Sequence, residues 1–229
     1  MSFNYSPKIV TDGLVLCLDA ANTKSYPGSG TVWTDLSKSR NNGTLTNFGS
    51  QTIWNSNNGG SIVFDGSNDY VSFNNIIPIG DSSKSVFIWF KSVTVISTRQ
   101  WLFYSGTETN GGRFALEIES SKFTFNYFNA AIQPTTLTTN TWYYAGVTYN
   151  STTKQLLIYV NGVLQSTTTF PVATISINTG NGATNYIGNI FNASIPLNGS
   201  VAITQIYNKV LSQSEINQNY NALKSRFGL

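Results

Sequence analysis

The chain of 229 residues carries a net charge of +3, with 10% charged and 14% aromatic residues; with Ser, Thr and Asn at most polar positions, this is the composition of a strand-rich protein with a neutral, hydrogen-bonding surface. It contains no histidine and one cysteine, which excludes Ser-His-Asp and Cys-His catalysis, His-ligated zinc and an intramolecular disulfide. Lys and Arg are too few and too scattered to argue for a nucleic-acid or membrane-surface partner, and no apolar run is long enough for membrane insertion.

The N-terminus, MSFNYSPKIV, lacks a basic region followed by an apolar one, so the expectation is a protein without a signal peptide, made in the cytoplasm. A strand is predicted over Gly13 to Ala20, with Cys17 as a small core hydrophobe. The polar stretch from Ala21 to Gly43 contains the turn Tyr26-Pro27-Gly28; a loop of this length is either functional or anchored, and Trp33 and Leu36 are the expected anchors. In Gly59 to Phe73, two apolar-alternating runs flank the turn-forming residues Asp65-Gly66-Ser67-Asn68, which predicts a β-hairpin of Ser61 to Phe64 with Tyr70 to Phe73.

Further strands are predicted at Ser85 to Lys91, Trp101 to Tyr104, Arg113 to Glu119, Lys122 to Phe128, Trp142 to Tyr149, Gln155 to Val160, Val163 to Phe170, Thr184 to Ile187 and Ser200 to Tyr207. If Ser120-Ser121 is a two-residue turn, Leu116 opposes Phe125, Ile118 opposes Phe123 and Phe114 opposes Tyr127, an apolar inner face. The outer face then sets Glu119 opposite Lys122, Glu117 opposite Thr124, Ala115 opposite Asn126 and Arg113 opposite Phe128. Arg113, Glu117, Glu119, Asn126 and Phe128 are therefore candidate ligand-binding residues, because carboxylate, amide, guanidinium and aromatic groups hold sugar hydroxyls and stack on sugar faces. The same pattern also describes an ordinary solvated face with cross-strand ion pairs.

Asn161-Gly162 predicts a type I′ turn that pairs Val160 with Val163 and Tyr159 with Leu164. Ser212-Gln213-Ser214-Glu215 is a capping box; Ile216, Tyr220 and Leu223 follow at helical spacing, and Gly228 comes after the basic last turn of Lys224 and Arg226. A helix of about residues 213–226 with one apolar stripe is expected to pack on a sandwich. About a dozen strands without intervening helices predict an all-β antiparallel sandwich or jelly roll, read as a single domain over residues 1–229.

The succession DGLVLCLDA, WTDLSKSRNNGTL, GGSIVFDGSNDYVSF, SVFIWFKS, TWYYAGVTYN with LLIYVNG, and YIGN with VAITQIYNKVLSQSEINQNY resembles the laminin-G-like, concanavalin A-like lectin/glucanase domains. SYPGSGTVWTDLS and the C-terminal helix make it most similar to such domains in virion proteins of tailed bacteriophages. The resemblance implies a jelly roll of two antiparallel sheets that binds glycans or proteins: a capsid decoration or tail adhesin, located on the virion in multiple copies, with cell-surface glycans and capsid or tail proteins as its partners. Many such domains hold calcium at a loop rim; Asp65, Asn68 and Asp69 could contribute oxygens, although calcium takes six to eight ligands and turn bonding explains the same residues. Retaining glucanases of this fold carry three alternating acidic residues on one strand. Here Glu117 and Glu119 share a face about 7 Å apart, but the third position holds Ser121. The expectation is a non-catalytic binding module; the alternatives are a glycoside hydrolase of the glucanase type and a purely structural virion protein.

Overall fold

The computed structural model describes residues 8–49, 53–94, 99–109, 111–127, 131–169, 177–180, 184–190 and 195–229. In chain order the strands are β1 (Leu14–Asp19), β2 (Val32–Trp33), β3 (Gly43–Thr46), β4 (Trp54–Asn55), β5 (Ser61–Asp65) and β6 (Tyr70–Asn74). Then come β7 (Lys84–Ser92), β8 (Gln100–Gly106), β9 (Arg113–Glu119), β10 (Lys122–Asn126) and β11 (Ala131–Thr136). The last are β12 (Trp142–Asn150), β13 (Gln155–Val160), β14 (Val163–Thr169), β15 (Thr184–Ile187) and β16 (Asn198–Tyr207), followed by the helix α1 (Gln213–Leu223) and a 3₁₀ turn, Lys224–Phe227.

The strands form two antiparallel eight-stranded sheets. The first runs β14-β13-β12-β7-β16-β5-β4, with β1 also on β16; the second runs β11-β10-β9-β8-β15-β6-β3-β2. Alternation along each strand sends one set of side chains between the sheets. Leu16, Leu18, Val86, Ile88, Phe90, Val147 and Ile158 from the first sheet meet Val71, Phe103, Leu116, Ile118, Phe123 and Phe125 from the second in one core. The predicted register of β9 with β10 is observed, Leu116 opposite Phe125 and Ile118 opposite Phe123. Ser120 (φ 52) and Ser121 (φ 63) form its turn in the left-handed region.

The segment around Asp65 departs from expectation. β5 pairs with β4 and β16 in the first sheet, whereas β6 pairs with β3 and β15 in the second. The predicted hairpin is an arch between sheets, because Ile62 and Phe64 enter the core from one side and Val71 and Phe73 from the other. Alternating apolar residues bury equally well either way. The long loop is anchored by Trp33, fully buried, but not by Leu36, which is 38% exposed. Asp35 is its second anchor: Oδ1 accepts from the N–H groups of Cys17 and Ser37, both at 2.8 Å, and Oδ2 from the N–H of Asn41 at 2.9 Å. Cys17 lies buried beside it, and burial pushes its thiol up to about 12, so it is chemically inert.

The strands β2 and β4, two residues each, were too short to show a period. β11 contains Pro134 and stands at a sheet edge, where a missing N–H costs no ladder bond. The capping box forms, with Ser212 Oγ accepting from Glu215 N–H and the Glu215 carboxylate from Ser212 N–H. The turn at Asn161 (φ 51) and Gly162 (φ 78) is type I′, and it pairs Val160 with Val163 and Tyr159 with Leu164 before the register shifts. Asn161 Oδ1 also accepts from Tyr144 N–H at 3.0 Å, tying the turn to β12. Asn161→Ala is therefore expected to lose about 1 kcal/mol through strained φ and the lost bond, read as a lower denaturant midpoint at constant slope. An unchanged midpoint would show that this turn does not hold the register.

Candidate binding face

Of the two outer faces, one is closed. Phe87, Trp89, Trp142, Tyr144 and Tyr159 on the first sheet lie under Ile216 and Phe227, with Tyr220 and Leu223 packed against them. Trp89 stacks on Phe227 at 4.1 Å between ring centroids. The second sheet's outer face has no helix over it among the described residues. Its registers align Thr44, Ser72, Tyr186, Tyr104, Ala115 and Asn126 in one row across six strands, β3-β6-β15-β8-β9-β10. Trp101, Glu117 and Thr124 form the next row.

The sequence-predicted residues Arg113, Glu117, Glu119 and Asn126 do meet on this face, but not as a solvated surface. Glu117 is 0% exposed, Asn126 3% and Arg113 8%. They bond to one another: Asn126 Nδ2 donates to Glu117 Oε1 at 3.0 Å, and Arg113 Nη1 donates to Asn126 Oδ1 at 3.1 Å. Two loop residues the sequence reading did not single out complete the network. Arg99 pairs with Glu117 at 3.2 Å and with Glu119 at 2.8 Å, and Glu108 takes Arg113 and the Tyr104 hydroxyl. Gln133 donates to Glu119 Oε2 at 2.7 Å. Trp101 sits within cation–π reach of both guanidinium groups, 5.8 Å from Arg99 and 5.3 Å from Arg113. Ile190 and Ile195 pack beside it, which is why the face is covered here. The expected opposition of Glu119 and Lys122 holds in register, although Glu119 takes its ion pair from Arg99. Phe128 lies outside the described residues.

Toward β2 the row opens. Tyr70 and Tyr186 are half-buried with rings 5.7 Å apart edge to face, and Thr44 is exposed. These groups were missed because each sits in a short strand whose outer face cannot be told from sequence until its sheet is known.

The candidate calcium residues do turn work. Asp69 Oδ2 accepts from Asp65 N–H at 3.0 Å, Asp65 Oδ1 accepts from Ser67 N–H at 2.8 Å, and the Asn68 carbonyl accepts from Asn47 Nδ2 at 3.2 Å. Among the described residues no three His, Cys, Asp or Glu side chains gather as a metal group. The donor set does not fit calcium, which needs six to eight oxygens.

Two buried charges make stability depend on pH in opposite senses. Burial pushes Glu117 up to about 7 against the pull of Asn126 and Arg99. Burial likewise pushes Lys84 down to about 7; its Nζ donates to Thr179 Oγ1 at 2.7 Å and to the Gly80 carbonyl at 3.1 Å. A raised carboxylate stabilises fully below its unfolded value of 4.5 and loses that contribution as pH rises through 7. A depressed lysine penalises folding below 7, and the penalty fades as pH climbs toward 10.5. Together they predict a dip near neutrality in their contribution to the thermal midpoint. Glu117→Gln should flatten the acid limb and Lys84→Met the alkaline limb; midpoints that keep both limbs in both variants would refute the assignment.

Residues 65–217, about two thirds of the chain, match the family described as the concanavalin A-like lectin/glucanases superfamily. No curated protein sequence matches the chain. Among solved structures, it is similar to domain 4 of AbnA, an extracellular arabinanase of Geobacillus stearothermophilus described in complex with arabinotriose. The TM-score is 0.68 at 16% identity, covering 92% of this chain and 100% of that one. The binding domain of Paraclostridial Mosquitocidal Protein 1 gives a TM-score of 0.70 at 13% identity, covering 92% of this chain and 52% of that one. A structure of botulinum neurotoxin type C, whose cell entry is described as dependent on two ganglioside molecules, gives 0.69 at 17% identity, covering 93% of this chain and 52% of that one. The chain thus spans about half the length of these toxin chains. With its two stacked antiparallel sheets and a match over two thirds of its length, the protein belongs to the concanavalin A-like lectin/glucanases superfamily and has its lectin-like fold.

Proposed function

We propose that this protein is a non-catalytic glycan-binding module, with residues 1–229 acting as one domain, that attaches through the outer face of its second sheet. One observation carries this reading: the helix closes one sheet face, while the other presents half-buried Tyr70 and Tyr186 with the hydroxyl side chains of Thr44 and Ser72, flanked by a bonded polar network. Rings and hydroxyls held rigidly bind sugars with little ordering cost. The similarity to an arabinanase domain bound to arabinotriose and to a ganglioside-dependent toxin supports a carbohydrate ligand. We further propose display in many copies on a phage virion, as a capsid decoration or tail adhesin; this rests on the resemblance of SYPGSGTVWTDLS and the C-terminal helix to phage virion domains.

A hydrolytic role is disfavoured by the state of the carboxylates. Glu117 is enclosed by Asn126 and Arg99, Glu119 is bonded to Arg99 and Gln133, and no third acid follows on β9. No reducing-sugar release from β-glucans or arabinans is expected; release that vanishes in Glu119→Gln would reinstate the hydrolase. Single sites should bind with Kd of about 0.1 to 1 mM, and repetition on a particle supplies avidity. Binding should be unaffected by EDTA, since Asp65 and Asp69 each accept a turn bond and, among the described residues, no three His, Cys, Asp or Glu side chains gather as a metal group. A glycan array and cosedimentation with host cells, run on the monomer and on whole particles, test the reading. Absence of binding in both formats, with a large buried contact to a capsid or tail protein, would leave the structural role.

A further inference from the structure

The outer face of the second sheet divides by charge. On β8, β9 and β10, with the loops beside them, it carries Arg99, Glu108, Arg113, Glu117, Glu119 and Lys122. On β2, β3, β6 and β15 the outward positions are Val32, Thr44, Thr46, Tyr70, Ser72 and Tyr186, with the pair Asn74 and Thr184 at one end, and none is charged. Leu45, Val71, Phe73 and Ile187, the alternating neighbours of these residues, fill the core, which fixes the outward direction of the others. Val32 is 48% exposed, Thr44 is exposed, and Thr46, Tyr70, Ser72 and Tyr186 are half-buried.

The charged half offers no vacant cation to its neighbour. Both guanidinium groups are engaged, Arg113 by Glu108 and Asn126, Arg99 by Glu117 and Glu119. Lys122 lies on β10, three strand spacings from β15, about 14 Å and beyond the Debye length of about 8 Å at physiological salt. Glu108, with 52% of its side chain exposed, pairs with Arg113, which stands over Tyr104 in the row beside Tyr186. From that side an approaching anion would meet the Glu108 carboxylate before the Lys122 ammonium.

We propose that the ligand is an uncharged oligosaccharide lying across β2, β3, β6 and β15 on Val32, Thr44, Tyr70, Ser72 and Tyr186, and that sialylated and uronic-acid glycans are rejected there. The inference rests on the glycan-binding reading above and narrows it. Four adjacent strands span about 14 Å, which suits a short oligosaccharide running across the strands better than one sugar. Tyr186 and Tyr70 supply ring faces, and Thr44 and Ser72 supply hydroxyls that both donate and accept. With no ionic contact, the affinity has no electrostatic component for salt to screen.

Titration calorimetry with arabinotriose, cellotriose and chitotriose, against 3′-sialyllactose and trigalacturonate, tests this at 50 and 500 mM NaCl. At least one neutral trisaccharide should bind with Kd constant within about twofold between the two salts, and the acidic glycans at least tenfold more weakly. Thr44→Arg, on an exposed position, and Tyr186→Ala should each weaken the neutral ligand about tenfold. Because Tyr186 packs on the outer cluster, Thr44→Arg with an unchanged thermal midpoint is the deciding variant. Acidic glycans that bind as tightly as neutral ones, or a neutral ligand indifferent to Thr44→Arg, would overturn the inference and leave the glycan-binding reading standing. Failure of all five glycans to bind would remove both.

Discussion

The strand β7 is buried on both faces, and the architecture follows from that constraint. Val86, Ile88 and Phe90 point into the core between the sheets, while Phe87 and Trp89 point the other way, under the C-terminal segment. A strand apolar on both sides needs two covers. The second sheet is one and α1 with its 3₁₀ extension is the other. Its neighbour β12 adapts to this double burial at Gly146, where a Cβ would come within 2.5 Å of the Phe87 ring and 2.2 Å of the Val86 carbonyl. The helix is tied at both ends: Lys209 links Asp12 to Glu215, and Arg226 pairs with Asp19 at 3.1 Å while its carbonyl accepts from Asn58 Nδ2 at 2.7 Å. Among the described residues no helix lies over the other sheet's outer face, so the core requirement of a single strand decides which face the helix closes.

On the second sheet's outer face, Arg113, Glu117 and Asn126, predicted to bind a ligand, are buried and bonded to one another. Burying Glu117 costs desolvation, which its bond from Asn126 and its ion pair with Arg99 offset only in part, so its carboxyl group titrates high. Glu108, Arg99 and Glu119 reach solvent from this network, and Tyr104 joins it to Tyr186 through an aromatic contact of 6.4 Å. The charged half thus acts as a fixed boundary to the uncharged half, where rings and hydroxyls are accessible.

How much of this was legible in the sequence depended on the distance over which each feature is determined. The type I′ turn at Asn161-Gly162, the capping box at Ser212 and Glu215, and the register of β9 with β10 all arise within a few residues. Backbone φ preferences and neighbouring side chains specify them, and the sequence determined each correctly along with the all-β class. Which sheet β5 and β6 enter is a different matter. Their alternation is satisfied by a hairpin or by an arch, and the choice belongs to β16 and β15, more than a hundred residues away. Glu117 was likewise placed on the right face, but its burial depends on Arg99 and on Ile190 and Ile195, brought over β8 and β9 by connections that local pattern cannot orient. The row from Thr44 to Tyr186 combines residues of β3, β6 and β15, none of which is adjacent in sequence to the next. The sequence by itself determined the strands, their turns and their apolar faces, because these are set by neighbours along the chain; the tertiary structure alone decided which outer face the helix closed, because that depends on which distant segment covers which sheet.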